Sequence, residues 1–522
     1  MVDGLRVPLL GALMAERKGP QCVLVITATG REAEAVRGSL SSYLPDAEVL
    51  EFPAWETLPH ERLSPSAQTV GTRIATLRAL QRWQDAAAAG ADRPTTVVVA
   101  SVRAALQPIA DNLTELSPVV LRTASRGNDL AAIAGQLVDL AYARVDLVTR
   151  RGEFAVRGGI LDVFPPTADH PVRVDFFGDE IDGIKAFSVA DQRSTEDDLD
   201  AVELTASREL LLSDDVRQRA REMLHEFPSL SQMLAKVAEG IPVEGMESLA
   251  PALVHELVPM TNYLPEIATI AVFSPERVSG RAHSLAETNQ EFLQAAWSAA
   301  VAGAQAPIDL DAGNFLTVPQ LKRTRGQRTW WTISPFDSGQ DEPLSDTDAV
   351  AEAGEYVRVR ADAVPSFAGS ADGAVAHVKA LTDDGWAVVV TAQGQGLVER
   401  AVQVLADAGV AARVGLVTGP PEPGVAIVTT AVVEQGFSVP DLRVAVLSEA
   451  EFYGRSAQQG ARTVKKLASR RKNVVDPLQL KPGDVVVHAT HGIGKFVELV
   501  SREVSSGGRN AVKTQREYLV LE

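Results

Sequence analysis

At 522 residues the chain exceeds what one hydrophobic core can fill, because cores stop growing near about 250–300 residues, so roughly three to five domains are expected. With 45% apolar and 23% charged residues it has a globular composition. It shows no apolar run of about 18 residues that would span a bilayer, and its start, MVDGLRVPLLGALMAERKG, lacks the cationic lead and cleavage site of a secretory signal. A net charge of −18 disfavours broad adhesion to phosphate backbones and favours protein partners, while a single cysteine, Cys22, excludes an internal disulfide and suits a reducing compartment; a soluble, cytoplasmic chain with no membrane partner is expected.

Residues 20–120 alternate apolar runs, VLVIT and TTVVVAS, with helical patterns such as AQTVGTRIATLRALQRW, the cadence of a mostly parallel α/β layer. FPAWETLPHERLSP lies between them and is too rich in proline for regular structure. From Val145 to Val189 the period becomes two: GEFAVRGGILDVF, HPVRVDFF and EIDGIKAFSV are separated by Pro165-Pro166, Gly178-Asp179 and Asp182-Gly183, which predicts antiparallel strands. Helical spacing returns at DDVRQRAREMLHEF after Ser213, and TIAVFS reads as a further α/β strand. Residues 337–355 are acidic and without periodicity, a linker pattern. WAVVVTA, VAIVTT and VAVLSE mark a second α/β unit, and LKPGDVVVHATHGIGKFVELV with REYLVLE reads as strands of a small barrel. The expected division is residues 1–120 and 209–335 as two parts of one α/β domain, 121–208 as a β-rich insertion, 336–365 as an acidic linker, 366–458 as a second α/β domain, 459–478 as a basic linker and 479–522 as a truncated small barrel. Because REYLVLE stops inside a strand pattern, the chain is expected to be the N-terminal part of a longer protein.

VLVITATGREAEAV has the strand, glycine turn and helix of a phosphate loop. Such a loop needs a glycine to open it, a lysine to neutralise the anion and a hydroxyl for magnesium. With Gly30 taken as the second glycine, Arg31 stands at the lysine position, Glu32 at the hydroxyl position and Val25 at the first glycine. Thr29, Gly30, Arg31 and Glu32 therefore read as a degenerate, non-binding loop, in which Glu32 places a carboxylate against the positive end of the helix. AVVVTAQGQGLVERAV repeats the pattern with Gly394 and Gly396 and again lacks a lysine. His488 and His491 have no third ligand nearby, so a turn is read there and no metal site. ARTVKKLASRRK, 461–472, is basic and reads as a solvated helix face or linker, with nucleic-acid contact as the alternative. No catalytic motif is present, and no cofactor is expected in these residues.

FPAWETLPHERLSPSAQTVGTRIATLRAL with VVVASVRAALQP, then RVDLVTRRGEFAVRGGILDVFPP with RVDFFGDEIDGIKAF, then GDVVVHATHGIGKFVEL resemble, in the same order, three blocks of the bacterial transcription-repair coupling factor (Mfd) family. The first two are similar to the damage-recognition protein UvrB and the third to CarD-like regulators. The resemblance implies degenerate P-loop/helicase-like α/β domains, an inserted β-rich UvrA-binding domain and a C-terminal Tudor/CarD-like barrel that binds RNA polymerase. It also implies a nucleotide loop that has lost ATP binding, and a UvrB-type aromatic hairpin is missing after FPAWETLPHERLSP. VTTAVVEQGFSVPDLRVAVLSEAEF looks like a helicase half-domain without its catalytic arginines. Carried over onto this sequence, the UvrA surface is Arg157, Arg173 and Phe177. The arginines are also compatible with a solvated strand face and Phe177 with burial in the sheet. The polymerase β-subunit surface is Tyr518, Leu519 and Leu521, by strand addition, although alternate residues of that strand would fill a barrel core. For the full-length family the resemblance implies an ATP-dependent DNA translocase, with ATP, Mg and most DNA contact in a C-terminal part beyond Glu522. Two other readings stay open here: a UvrB-type ATP-dependent damage sensor, and a CarD-like transcription regulator.

Overall fold

The computed structural model describes residues 2–224, 226–301, 307–308, 314–336, 357–367, 370–417, 419, 422–453, 485–488, 492–505 and 513–521. The chain forms two units, residues 1–457 and 458–522.

The first unit is built on a five-stranded, all-parallel sheet in the spatial order Thr329–Ile333, Thr269–Phe273, Cys22–Thr27, Thr96–Ser101, Glu48–Phe52. Every residue of Cys22–Thr27 and of Thr96–Ser101 is buried, as a parallel sheet covered on both faces requires. The period of two divides their side chains. Val23, Val25, Val97 and Val99 meet Val7, Leu10 and Met14 of the N-terminal helix Arg6–Ala15 and Val36 and Leu40 of Gly30–Tyr43. Leu24, Ile26 and Val98 face Ile74, Leu77 and Leu80 of the long helix Ala67–Ala88. The helix starts are set by local chemistry, with Thr29, Ser66 and Ser101 each accepting a backbone N–H from the first turn.

Between Ser101 and Thr269 lies the β-rich part. Its six-stranded sheet runs in the order Ser194–Asp198, Glu180–Phe187, Val172–Phe177, Ile160–Val163, Glu153–Arg157, Ala143–Arg144. Neighbours are antiparallel except at the Ala143–Arg144 edge, which pairs in parallel. One face, with Phe154, Leu161, Val174 and Ile184, belongs to the same core as Leu24, Ile74 and Val98. The β-rich part is therefore not a separately cored insertion: its sheet and the first α/β layer share one apolar interior. Gly71 on the long helix marks the approach, since a Cβ there would collide with Pro166.

The second α/β sheet has the order Asp362–Ala363, Phe437–Val439, Val444–Leu447, Ala387–Ala392, Ala426–Thr430, Ala412–Val414. Its three centrally paired long strands are parallel, with an antiparallel edge at Phe437–Val439 and Asp362–Ala363. The expected linker 336–365 thus runs too far, because Asp362 and Ala363 already pair in this sheet. Helices Ala371–Asp383 and Gln395–Asp407 cover one face. The other face receives Leu5, Leu9 and Tyr43 of the first α/β layer against Val389, Phe437 and Val446. Residues 337–356 and the basic stretch 461–472 lie outside the described residues.

The second unit contains an open antiparallel meander of Val485–His488, Gly492–Ser505 and Lys513–Leu521. Closure into a barrel is not seen among the described residues.

Candidate protein interface and the closed phosphate-loop turn

The outward face of the β-rich sheet assembles the predicted trio. Alternation puts Arg157, Asp162, Arg173 and Phe177 on the face opposite Phe154, Leu161 and Val174. The registers Arg157↔Ile160, Asp162↔Arg173 and Ile160↔Asp175 bring them side by side. The hairpin between Arg157 and Ile160 turns on Gly158, whose φ of +62° suits only glycine without strain. Gly159 has no room for a side chain, as a Cβ would sit 2.8 Å from the Phe176 carbonyl oxygen, and its own carbonyl accepts the Phe176 N–H at 2.7 Å.

Phe177 is 81% exposed, so the alternative of burial in the sheet is overturned. Its place explains this: it is the last residue of its strand, at the Gly178-Asp179 turn, away from the small buried cluster of Val148, Ala155, Phe164 and Phe187. An exposed aromatic beside cations has the make-up of an interface anchor. The arginines differ from the expectation of two free guanidinium forks. Arg173 is largely covered and gives its fork to Asp162, Nε donating to Oδ1 at 2.7 Å and Nη2 to Oδ2 at 2.9 Å. Its Nη1 donates to the Gln192 carbonyl at 3.3 Å, and its guanidinium lies over Phe187, 4.9 Å from the ring centroid. The Asp162 hydrogen bonds raise the Arg173 pKa further above its ordinary value. Arg157, with a side chain 53% exposed, touches the same carboxylate at 3.4 Å. Asp162 itself is buried. Reasoning from sequence missed it; the only signal was an acid at the outward step of ILDV, between two strands that each carry an arginine.

At the turn after Cys22–Thr27, Thr29, Gly30 and Arg31 are exposed, and the charge of the helix's first turn is paired beneath them. Thr29 caps the helix by accepting the Glu32 N–H at 3.2 Å. The Glu32 carboxylate is buried and accepts from Arg6 Nη1 at 2.6 Å, while its other oxygen, without a hydrogen bond, lies 3.5 Å from Arg277. Arg6 also donates to Ser274 Oγ at 3.1 Å and pairs with Asp3 and, at 3.8 Å, with Glu434 of the second α/β domain. Arg31 and Gly30 take no part in these contacts. Arg6 was not anticipated, since MVDGLRVPLLGALMA reads as an apolar run with one stray cation. The second turn is likewise met by a carboxylate, with Gln393 N–H donating to Glu449 at 2.9 Å.

Among the described residues, Asp111, His255 and Glu256 bring one potential ligand atom each within 4.8 Å of one another. They are half-exposed or exposed, and Asp111 already pairs with His255 at 3.4 Å. Tyr518, Leu519 and Leu521 sit on Lys513–Leu521, paired with Val500, Leu499 and Phe496 of the neighbouring strand; His491 lies outside the described residues. No described helix is long and apolar enough to cross a membrane.

Comparison with known proteins places these features. The family model of the UvrB interaction domain matches residues 124–210, which span the sheet carrying Arg157, Arg173 and Phe177. The CarD-like/TRCF RID domain matches residues 480–522. A transcription-repair-coupling factor of Mycobacterium tuberculosis is 43% identical over 98% of this chain and 41% of its own length. One from Myxococcus xanthus is 28% identical over 100% of this chain and 43% of its own, and one from Bacillus subtilis is 23% identical over 95% and 41%. The chain thus spans about two fifths of the length of the curated relatives it matches. With two domain models in the same order and relatives aligned along nearly its entire length, the chain is similar throughout to about two fifths of the length of transcription-repair-coupling factors.

Proposed function

We propose that this chain is the part of a transcription-coupled excision-repair factor that binds UvrA and RNA polymerase. The outer face of the β-rich sheet meets UvrA through Arg157 and Phe177, with Arg173 behind them. The C-terminal sheet engages the polymerase β subunit by strand addition along Glu517–Glu522, with Tyr518, Leu519 and Leu521 as contact candidates. The whole protein would bind polymerase stalled at a lesion, displace it by ATP-driven translocation on DNA and hand the site to UvrA. The motifs G-K-[ST] and D-E-x-[HQ] do not occur in these residues, so ATP, Mg and most DNA contact are assigned to the rest of the family's length.

The observation carrying this reading is Phe177, 81% exposed on the same sheet face as Arg157, within the segment that resembles the UvrB interaction domain. A UvrB-type ATP-dependent sensor is disfavoured by Glu32, which puts a buried carboxylate, paired with Arg6, in the first turn of the helix that a phosphate would need. A CarD-like regulator without a repair role leaves the β-rich sheet without a task. The test is capture of UvrA and, separately, of the polymerase β subunit by the wild type and by Arg157→Ala plus Arg173→Ala. Loss of UvrA alone is expected. Retention of UvrA would refute the reading, and equal loss of both partners would assign the effect to misfolding.

A further inference from the structure

The trio on the β-rich face is not three equal contacts. Arg173 has committed three of its five donors, two to Asp162 and one to the Gln192 carbonyl, and its guanidinium plane rests on Phe187. A planar fork held by a carboxylate, a carbonyl and a ring is fixed in position and has little left for a partner. Asp162, buried and fixed by that fork, then offers its Oδ2 to Arg157 at 3.4 Å. This contact is long, and it leaves the rest of the Arg157 guanidinium in solvent. A flexible arginine normally loses rotamer freedom when it docks, and a carboxylate that already restrains it lowers that cost.

Resting on the reading of this face as the UvrA surface, we propose that Asp162 is its positioning residue: it is locked by Arg173 and in turn aims Arg157 at the partner. The contacting pair is then Arg157 and Phe177. Arg157 and the Asp175 position are two strand spacings apart, about 10 Å, and Phe177 lies one outward step beyond Asp175 on the same face. The partner surface that fits is a carboxylate facing Arg157 with an apolar pocket alongside for the Phe177 ring. A glutamate or aspartate there would complete the fork that Asp162 touches only at one nitrogen.

The experiment measures UvrA affinity, polymerase β-subunit affinity and melting temperature of the full chain for five proteins: wild type, Arg157→Ala, Asp162→Asn, the double variant Arg157→Ala plus Asp162→Asn, and Arg173→Lys. Asp162→Asn is expected to weaken UvrA binding by about tenfold, the scale of one charge-assisted hydrogen bond, with β-subunit binding unchanged. In the Arg157→Ala background the same substitution should add less than about twofold, because the residue it positions is gone. Arg173→Lys keeps the charge but loses the fork, and should behave like Asp162→Asn. If the effects of Arg157→Ala and Asp162→Asn simply multiply, or Arg173→Lys binds UvrA like wild type, the positioning role is refuted. Should Asp162→Asn melt early and lose both partners, Arg173→Lys alone decides. If Arg157→Ala itself leaves UvrA binding intact, the failure lies with the UvrA reading of this face.

Discussion

Arg6 Nη1 lies 2.6 Å from Glu32 Oε1 with both side chains buried, and this pair joins the N-terminal helix to the turn where a phosphate loop would hold its anion. Removing Arg6 leaves the buried Glu32 with only the half-exposed Arg277 at 3.5 Å, a loss of up to about 3–5 kcal/mol. Arg6→Ala is expected to lose that much in denaturant unfolding. Arg6→Met combined with Glu32→Leu should recover most of it, since an apolar pair of similar volume carries no desolvation penalty. A double-variant loss equal to the sum of the Arg6→Met and Glu32→Leu losses would show that the pair is not coupled.

The same geometry forecasts that nucleotide binding cannot be restored by the two obvious changes. Arg31→Lys with Glu32→Thr rebuilds the lysine and hydroxyl on paper, but Val25 stays at the first glycine's place, fully buried in the central strand, and Arg6 loses its carboxylate. Equilibrium dialysis should find no ATP bound by the wild type or by this variant, and the variant should melt earlier. Saturable ATP binding by either protein would contradict the reading of the loop as degenerate.

Glu247 gives a pH test with a definite sign. It is buried beside Arg208 at 3.2 Å and accepts the Ser64 hydroxyl at 2.5 Å; burial, the dominant cause, raises its pKa above the ordinary 4.5 in spite of Arg208. The folded state therefore holds this proton more tightly than the unfolded state, and the group's contribution to stability falls as pH rises from about 4.5 through the folded pKa. Glu247→Gln lacks that loss. Its stability relative to wild type should climb across this window and then level off, as followed by urea unfolding at a series of pH values.

Phe177→Ala should separate binding from folding. An 81% exposed ring contributes little to the core, so the unfolding free energy should stay within about 0.5 kcal/mol of wild type. UvrA affinity should fall about tenfold or more, as for an interface anchor. A large loss of stability would mean that the ring is packed in solution.

Gly4→Ala probes the junction of the two α/β domains. A Cβ at residue 4 would overlap the Gln435 carbonyl, a backbone atom that cannot swing aside, and overpacking of this kind costs about 1–3 kcal/mol. Hydrogen exchange should accelerate at Val389, Val433 and Val446, which face Leu5, while Phe154 and Leu161 of the β-rich sheet stay protected.

Composition and local pattern were sufficient for the α/β layers and the antiparallel sheet, because strand periodicity and turn residues are properties of neighbouring residues. Arg157, Arg173 and Phe177 could be named from the family resemblance, and the fold puts them on one face. Their division of labour could not. Asp162 acts through cross-strand register, and the Arg6–Glu32–Glu434 network joins residues 26 and 402 positions apart from Glu32 in ways that leave no local trace. A buried carboxylate looks like any other acid until the fold shows which guanidinium it meets. The shared core of the first α/β layer and the β-rich sheet was hidden for the same reason: hydrophobic periodicity says which side of a strand is covered, and only the packed chain decides by what.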